Sequence, residues 1–151
     1  MIAFEDLTPG RVIELPSYDV TAEEIVAFAS EFDPQPFHLD GASEQAAGVG
    51  GLIASGWHTC SIAMRMFCDG YLLHSTSQGA PGVGAVRWLR PVRPGDRLSG
   101  TTTVRSARLS RSRPGLGFVQ VDHELRNQHD ETVLKMDNTG MFLTRAAWAA
   151  R

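Results

Sequence analysis

The sequence lacks the features that mark membrane-spanning and nucleic-acid-binding proteins. Its formal net charge is -3 over 151 residues, so it has no excess of positive charge. This balance argues against nucleic acid or an anionic membrane as the main partner, because both attract clustered positive charge. The longest apolar stretches, near Ile62 and Leu72, are interrupted by charged or polar residues well before the ~20 residues that a membrane span requires.

The sequence also has little cysteine and no visible targeting segment. Cys60 and Cys68 are its only two cysteines. They lie about 12 Å apart if one helix carries both, which is too far for a disulfide, so we expect free thiols. Residues 1–10 contain Glu5, Asp6 and Pro9 but no basic start and no apolar segment, so we expect no secretory signal and a cytoplasmic protein.

Composition indicates one ordinary globular domain over residues 1–151, since 42% of residues are apolar and 21% are charged. Residues 11–15 predict a first or edge strand before Pro16. Thr21 and Glu24 predict a capping box, in which the threonine caps a helix and the glutamate reaches back to the Thr21 amide. The helix should end at Asp33, because Pro34 disfavours a helical residue before it.

The rest of the chain predicts a long connection, one buried helix and a group of strands. Residues 33–55 form the connection, with a short helix at 43–47. Residues 57–73 predict a buried helix with a thin polar seam at His58, Ser61, Arg65 and Asp69. Period-two alternation over 86–90, 102–106, 118–126 and 132–143 predicts an antiparallel meander. We therefore expect an α+β fold in which long strands wrap around a central helix.

The proline-bracketed segment from Asp33 to His38 is the first candidate for chemistry. Pro34 and Pro36 restrict the backbone between a carboxylate and an imidazole. Two such groups facing one water molecule can orient it, remove a proton and return one, which is general acid–base catalysis. The alternative is that Asp33 caps a helix end and His38 is a solvated loop residue.

The start of the predicted buried helix is the second candidate. Ser55 and Gly56 follow a glycine-rich loop, and a helix N-terminus presents unpaired amides with a partial positive charge. The Gly56 amide would polarise a carbonyl, and the absence of a side chain would let the substrate approach. The alternative is plain capping by Ser55.

The remaining histidines and the arginines carry weaker signals. His74, His123 and His129 show no ligand spacing with one another or with the cysteines, so we expect no metal. Arginines are frequent in the strand region, where they are either solvated or able to contact phosphates. They are Arg87, Arg90, Arg93, Arg105, Arg108, Arg111 and Arg113.

The pattern Asp33-x-Gln35-Pro36-x-His38 resembles the Asp-x-Asn-Pro-x-His signature of the MaoC-like dehydratases, which include the (R)-specific enoyl-CoA hydratases. The segments 51–57 and 90–96 also resemble that family, so the likeness covers nearly the whole chain. It implies a hot-dog fold, with an antiparallel β-sheet wrapped around a long central α-helix. It also implies a homodimer or higher homo-oligomer, an acyl-CoA or acyl carrier protein thioester as substrate, and no metal or redox cofactor.

By the same resemblance, Asp33 and His38 match the catalytic pair and Gly56 matches the glycine whose amide polarises the thioester carbonyl. Gln35, Phe37, Ser55 and Trp57 are then expected at the substrate. The chain departs from the family at two of these positions: Gln35 replaces the usual asparagine, and Ser55 replaces a histidine often found before the glycine. The family's further serine would fall near Ser61 or Met64.

The implied reaction is hydration of a trans-2-enoyl-CoA to an (R)-3-hydroxyacyl-CoA, or the reverse dehydration. One alternative is a hot-dog acyl-CoA thioesterase, in which Asp33 directs water to the thioester carbon. Another is a non-catalytic acyl-CoA binding subunit of a heterodimeric dehydratase.

Overall fold

Five strands form a single antiparallel sheet in the computed structural model, which describes residues 1–151. Across the sheet the order is β1, β3, β4, β5, β2. The strands are β1 (Val12–Asp19), β2 (Val83–Trp88), β3 (Arg97–Leu109), β4 (Leu116–Arg126) and β5 (Thr132–Leu143). The helices are α1 (Ala22–Phe32), α2 (Pro36–Leu39), α3 (Glu44–Gly48), α4 (Gly56–Gly70) and α5 (Arg145–Ala149), with 3-10 turns at Phe4–Asp6 and Leu72–His74.

The core lies between one face of the sheet and α4. Alternate residues of β4, among them Val119, Val121 and Leu125, point into it, as the period-two pattern predicts. Helix α4 contributes Ile62 and Met66 to the same cluster. A curved antiparallel sheet around one long helix is the hot-dog arrangement, so the predicted α+β class and fold are confirmed.

The four-strand meander, however, is wrong. Only β3, β4 and β5 follow one another across the sheet, while β2 pairs with β5 and forms the edge opposite β1. The pairing of Trp88 with Leu134 and of Leu134 with Leu125 fixes this order. Alternation in a sequence shows which face of a strand is buried, but it does not show which strand lies beside it.

Strand β1 is longer than predicted because it continues through Pro16. The register with β3 shifts between Leu15 and Tyr18. Because β1 lies at the edge of the sheet, the missing amide hydrogen of Pro16 removes no hydrogen bond to a neighbouring strand.

Helix α4 ends three residues earlier than predicted and exposes a different stripe. His58 is buried, whereas Trp57 and Met64 are 62% and 48% exposed beside the exposed Ser61 and Arg65. The predicted polar seam is therefore wrong at His58, because α1 covers that side of α4. None of the helices is long and apolar enough to cross a membrane.

The capping box at α1 is half correct. The Thr21 hydroxyl accepts from the Glu24 amide at 3.2 Å. The Glu24 carboxylate does not return to the Thr21 amide but accepts from the Tyr18 hydroxyl at 3.2 Å. Farther along, α3 begins after Ser43 as predicted, while α2 was not predicted. It is a single turn with Pro36 at its first position, where the missing amide costs nothing.

Candidate active site

Asp33 directly follows α1, and its carboxylate is held by two neighbours. The Ser55 hydroxyl donates to Oδ2 at 2.6 Å, and the Gln35 side-chain amide donates to Oδ1 at 2.7 Å. The hydrogen bond from Ser55 has the largest effect on the pKa of Asp33, followed by the one from Gln35. Together they lower this pKa, although partial burial alone would raise it. The group is therefore a carboxylate at neutral pH, and it can accept a further hydrogen bond.

His38 lies in α2 and is 5% exposed. Its Nδ1 is 2.7 Å from the Ile53 carbonyl oxygen. A carbonyl only accepts, so Nδ1 carries the proton and donates, which leaves Nε2 as the acceptor of the neutral ring. Nε2 lies 3.4 Å from Asp33 Oδ2, and the Phe37 ring packs against the imidazole edge to face. The predicted carboxylate and imidazole thus lie side by side.

Ser55 connects this pair to the start of α4. It is fully buried, and its hydroxyl oxygen accepts from the Trp57 amide at 3.3 Å while its proton goes to Asp33. Plain capping is therefore only half of its role. Since a serine hydroxyl can cap and donate at once, one side chain fixes the carboxylate relative to the helix N-terminus.

Gly56 is the first residue of α4, and its lack of a side chain makes room for Trp88. The Trp88 indole nitrogen donates to the Gly56 carbonyl at 2.8 Å. A Cβ on Gly56 would lie 2.6 Å from the Trp88 ring. The position that a Gly56 side chain would occupy is therefore filled by the Trp88 ring. The Gly56 amide itself, in the first turn, has no acceptor within α4.

His38 and Gly56 both line an open cleft of 310 Å³. Trp57 lies outside it, edge to face on Trp88 with ring centroids 5.4 Å apart. Asp33 does not line the cleft, but its Oδ2 lies 3.4 Å from Nε2 of His38, which does. The cleft is lined by His38, Ile53, Ala54, Gly56, Thr59, Trp88, Leu89, Arg90, Pro91 and Val92.

Most of the arginines lie away from this cleft. Arg90 lines it, with Nε 3.4 Å from a Glu131 carboxylate oxygen. The β3–β4 hairpin carries Arg108, Arg111 and Arg113. The start of β4, at this hairpin, is nine residues from Leu125, the β4 residue that lies level with Trp88 across the sheet. Nine residues of strand span about 30 Å. Arg105 pairs with Asp122 on the outer face of the sheet.

The other histidines and the cysteines serve no site of this kind. Cys60 and Cys68 are free, as expected. His123 is buried in the sheet between Thr102 and Asn138, and its burial lowers its pKa to about 4. No group of three or more His, Cys, Asp or Glu side chains is arranged to hold a metal ion.

Sequence reasoning missed three functional contacts. The Ile53 carbonyl that orients His38 belongs to the backbone and has no side-chain signal. Trp88 is a large residue on an edge strand, and no local sequence pattern links it to Gly56. The bond from Ser55 to Asp33 joins residues 22 positions apart, although Ser55 itself was singled out as a cap.

A carboxylate and a buried imidazole beside a helix N-terminus, on a hot-dog domain, are the parts of an acid–base site. The family model described as "MaoC like domain" matches residues 5–126, which include all of these side chains. The chain therefore belongs to the MaoC-like domain family.

Individual relatives agree with this assignment. A MaoC-like dehydratase from Rhodospirillum rubrum is 38% identical, with a TM-score of 0.88 over 96% of this chain and 99% of that one. The uncharacterised protein YdeM of Bacillus subtilis is 29% identical over 94 residues, which are 62% of this chain and 67% of YdeM. The R-hydratase PhaJ1 of Pseudomonas aeruginosa, at 20% identity, shares the fold with a TM-score of 0.73 over 95% of this chain and 87% of that one.

Proposed function

We propose that the protein adds water across the double bond of a trans-2-enoyl thioester to give an (R)-3-hydroxyacyl thioester, or catalyses the reverse dehydration. The observation that carries the proposal is the contact of His38 Nε2 with Asp33 Oδ2 at 3.4 Å, next to a helix start that Ser55 ties to the same carboxylate. Membership of the MaoC-like family and the name of the R. rubrum relative support a dehydratase reaction.

In this proposal Asp33 and His38 hold one water molecule between them. Because the Ile53 carbonyl keeps the proton of neutral His38 on Nδ1, Nε2 is ready to accept a proton from that water. The water oxygen bonds to C3 and the C2=C3 electron pair moves toward the thioester oxygen. The proton held on Nε2 then passes to C2, so that H and OH are both added and the pair returns to its starting state.

The Gly56 amide is proposed to donate to the thioester oxygen as negative charge develops there. Helix α4 adds a partial positive charge at the same end. One preorganised donor of this kind contributes about 3 kcal/mol of transition-state stabilisation. The cleft fits this role, since it touches both the Gly56 backbone and the His38 ring.

The substrate is proposed to be carried as a coenzyme A or acyl carrier protein thioester, with Phe37, which packs on His38, near the acyl group. We also propose a homodimer. Strand β2 is an edge strand with exposed backbone, and the large side chains of Trp57, Trp88 and Leu89 are 62%, 45% and 51% exposed beside it.

The direct test is turnover of crotonyl, medium-chain and branched enoyl thioesters by the purified chain. Loss of the conjugated enoyl absorbance without thiol release is the expected result. Asp33→Asn and His38→Ala should each lower kcat by about 10²- to 10⁴-fold. Asp40→Asn and His74→Ala, an exposed carboxylate and an imidazole outside the site, are the matched controls.

Three outcomes would contradict the proposal. Release of free thiol from the substrate would identify a thioesterase. Binding of the thioester with no turnover would identify a non-catalytic subunit. Unchanged turnover in both variants would remove Asp33 and His38 as the catalytic pair.

A further inference from the structure

A second acid–imidazole contact, with a buried histidine and a partly buried glutamate, lies one turn along α4 from the active site. His58, three residues after Ser55 on α4, has its Nε2 3.8 Å from Oε1 of Glu24 on α1. The other Glu24 oxygen accepts from the Tyr18 hydroxyl on β1. The His58 ring also stacks on Phe28 of α1, with centroids 4.8 Å apart. Three elements therefore meet at this point.

His58 is buried, at 6% exposed, and the Glu24 side chain is partly buried. Glu24 Oε1, the oxygen nearest His58 Nε2, is one of two buried side-chain polar atoms without a hydrogen-bond partner, and the other is His58 Nδ1 on the far side of the ring. Buried polar atoms are almost always paired, so two unpaired atoms on neighbouring side chains call for an explanation.

The charges around this contact favour its neutral form. Burial raises the pKa of Glu24 and lowers the pKa of His58. Besides His58, the titratable group facing Glu24 is Tyr18. The nearby Arg65 is exposed and pairs with Asp69. Both directions make the charged form of each group less favourable than it is in water.

The same two helices carry the catalytic groups. Helix α1 leads directly into Asp33, and α4 begins at Ser55 and Gly56. Two polar contacts therefore join α1 to α4: the bond from Ser55 to Asp33, and the contact of His58 with Glu24. The second lies about one turn from the first along α4 and about two and a half turns from it along α1. A rotation of α1 about the first contact is resisted by the second.

We propose that His58 and Glu24 are positioning residues, whose contact between α1 and α4 holds the two helices together so that the Asp33 carboxylate stays within reach of the Ser55 hydroxyl and His38. The importance of this contact for turnover rests on the proposed function. Its effect on the environment of Asp33 does not, and that effect is measurable without substrate.

The test compares His58→Phe with Glu24→Gln. Phenylalanine keeps the stacking on Phe28 but removes both ring nitrogens, so Glu24 loses its partner across the helices. Glutamine keeps hydrogen-bonding groups toward both Tyr18 and His58. We expect His58→Phe to raise the pKa of Asp33, measured by a carbon-13 NMR titration, and to lower kcat about 10- to 100-fold, the cost of a small misplacement at a reacting group. Glu24→Gln should stay close to wild type in both measurements.

Ile25→Val controls for lost stability, since Ile25 is fully buried on α1 but makes no polar contact. It should lower the melting temperature and leave the Asp33 pKa unchanged. If His58→Phe does not fold, Glu24→Leu provides the same comparison. An Asp33 pKa unchanged in the variant that removes the polar contact would overturn the proposal. Absence of hydratase activity in the wild type would overturn the proposed function alone, because the titration still reports on Asp33.

Discussion

Replacing Ser55 with alanine tests the link between the catalytic carboxylate and the helix start. The variant loses a cap on α4, which costs about 1 kcal/mol, and a hydrogen bond to a carboxylate, which costs about 1.5–3 kcal/mol. The two losses share one buried hydroxyl, so we expect a decrease of about 3 kcal/mol in the free energy of unfolding at pH 7.

The decrease should depend on pH in a defined direction. The folded protein holds the pKa of Asp33 below its unfolded value, mainly through Ser55. The stability that this provides is present above the unfolded pKa of ~3.9 and is lost as the pH falls through the folded pKa. The cost of Ser55→Ala should therefore shrink toward the capping cost of about 1 kcal/mol as the pH falls below about 4.

The assay is urea unfolding of both proteins at pH 7 and at the lowest pH at which both fold. Thr144→Ala removes the cap of α5 but no carboxylate contact, so its cost should not vary with pH. The acid limb of kcat/KM should also move to higher pH in Ser55→Ala, because Asp33 becomes easier to protonate. A cost that is the same at both pH values would refute the proposed link.

Two further predictions concern stability. Gly56→Ala should lower the free energy of unfolding by about 1–3 kcal/mol, because the new methyl group would overpack against the Trp88 ring. Urea unfolding measures this loss, and adding Trp88→Leu should recover part of it. Equal stability of Gly56→Ala and wild type would contradict the close packing. Burial lowers the pKa of His123 to about 4 in the folded protein, so the unfolded chain takes up a proton at this residue at a higher pH than the folded protein does. The free energy of unfolding of the wild type should therefore fall by about 3 kcal/mol as the pH falls from 6.5 to 4. His123→Gln, which retains polar groups toward Thr102 and Asn138, should lack this loss in unfolding experiments over that range, and the same slope in both proteins would contradict the burial argument.

Local chemistry explains where sequence reasoning was accurate. The Thr21 cap, the end of α1 before Pro34 and the alternating faces of β4 depend on residues within a few positions of one another. The candidate pair was also found locally, since Asp33 and His38 lie five positions apart in a segment restricted by two prolines. The resemblance to the MaoC-like family then added the fold, which composition and periodicity had indicated only as a sheet around a helix.

Long-range packing explains the errors. Strand β2 crosses to the far edge of the sheet, and the Glu24 carboxylate accepts from the Tyr18 hydroxyl instead of closing the predicted capping box. His58 is buried and Trp57 exposed because α1 covers one side of α4, which no property of α4 alone reveals.

The amino-acid order alone therefore determined the helix ends, the strand faces and the presence of an acid and an imidazole on one stiff segment, because these follow from torsions and spacing. Only the tertiary structure decided the protonated nitrogen of His38, the lowered pKa of Asp33 and the position of His38 and Gly56 on one cleft. Those properties depend on the Ile53 carbonyl and the Ser55 hydroxyl. Both groups come from distant parts of the chain, and packing alone places them at hydrogen-bond distance.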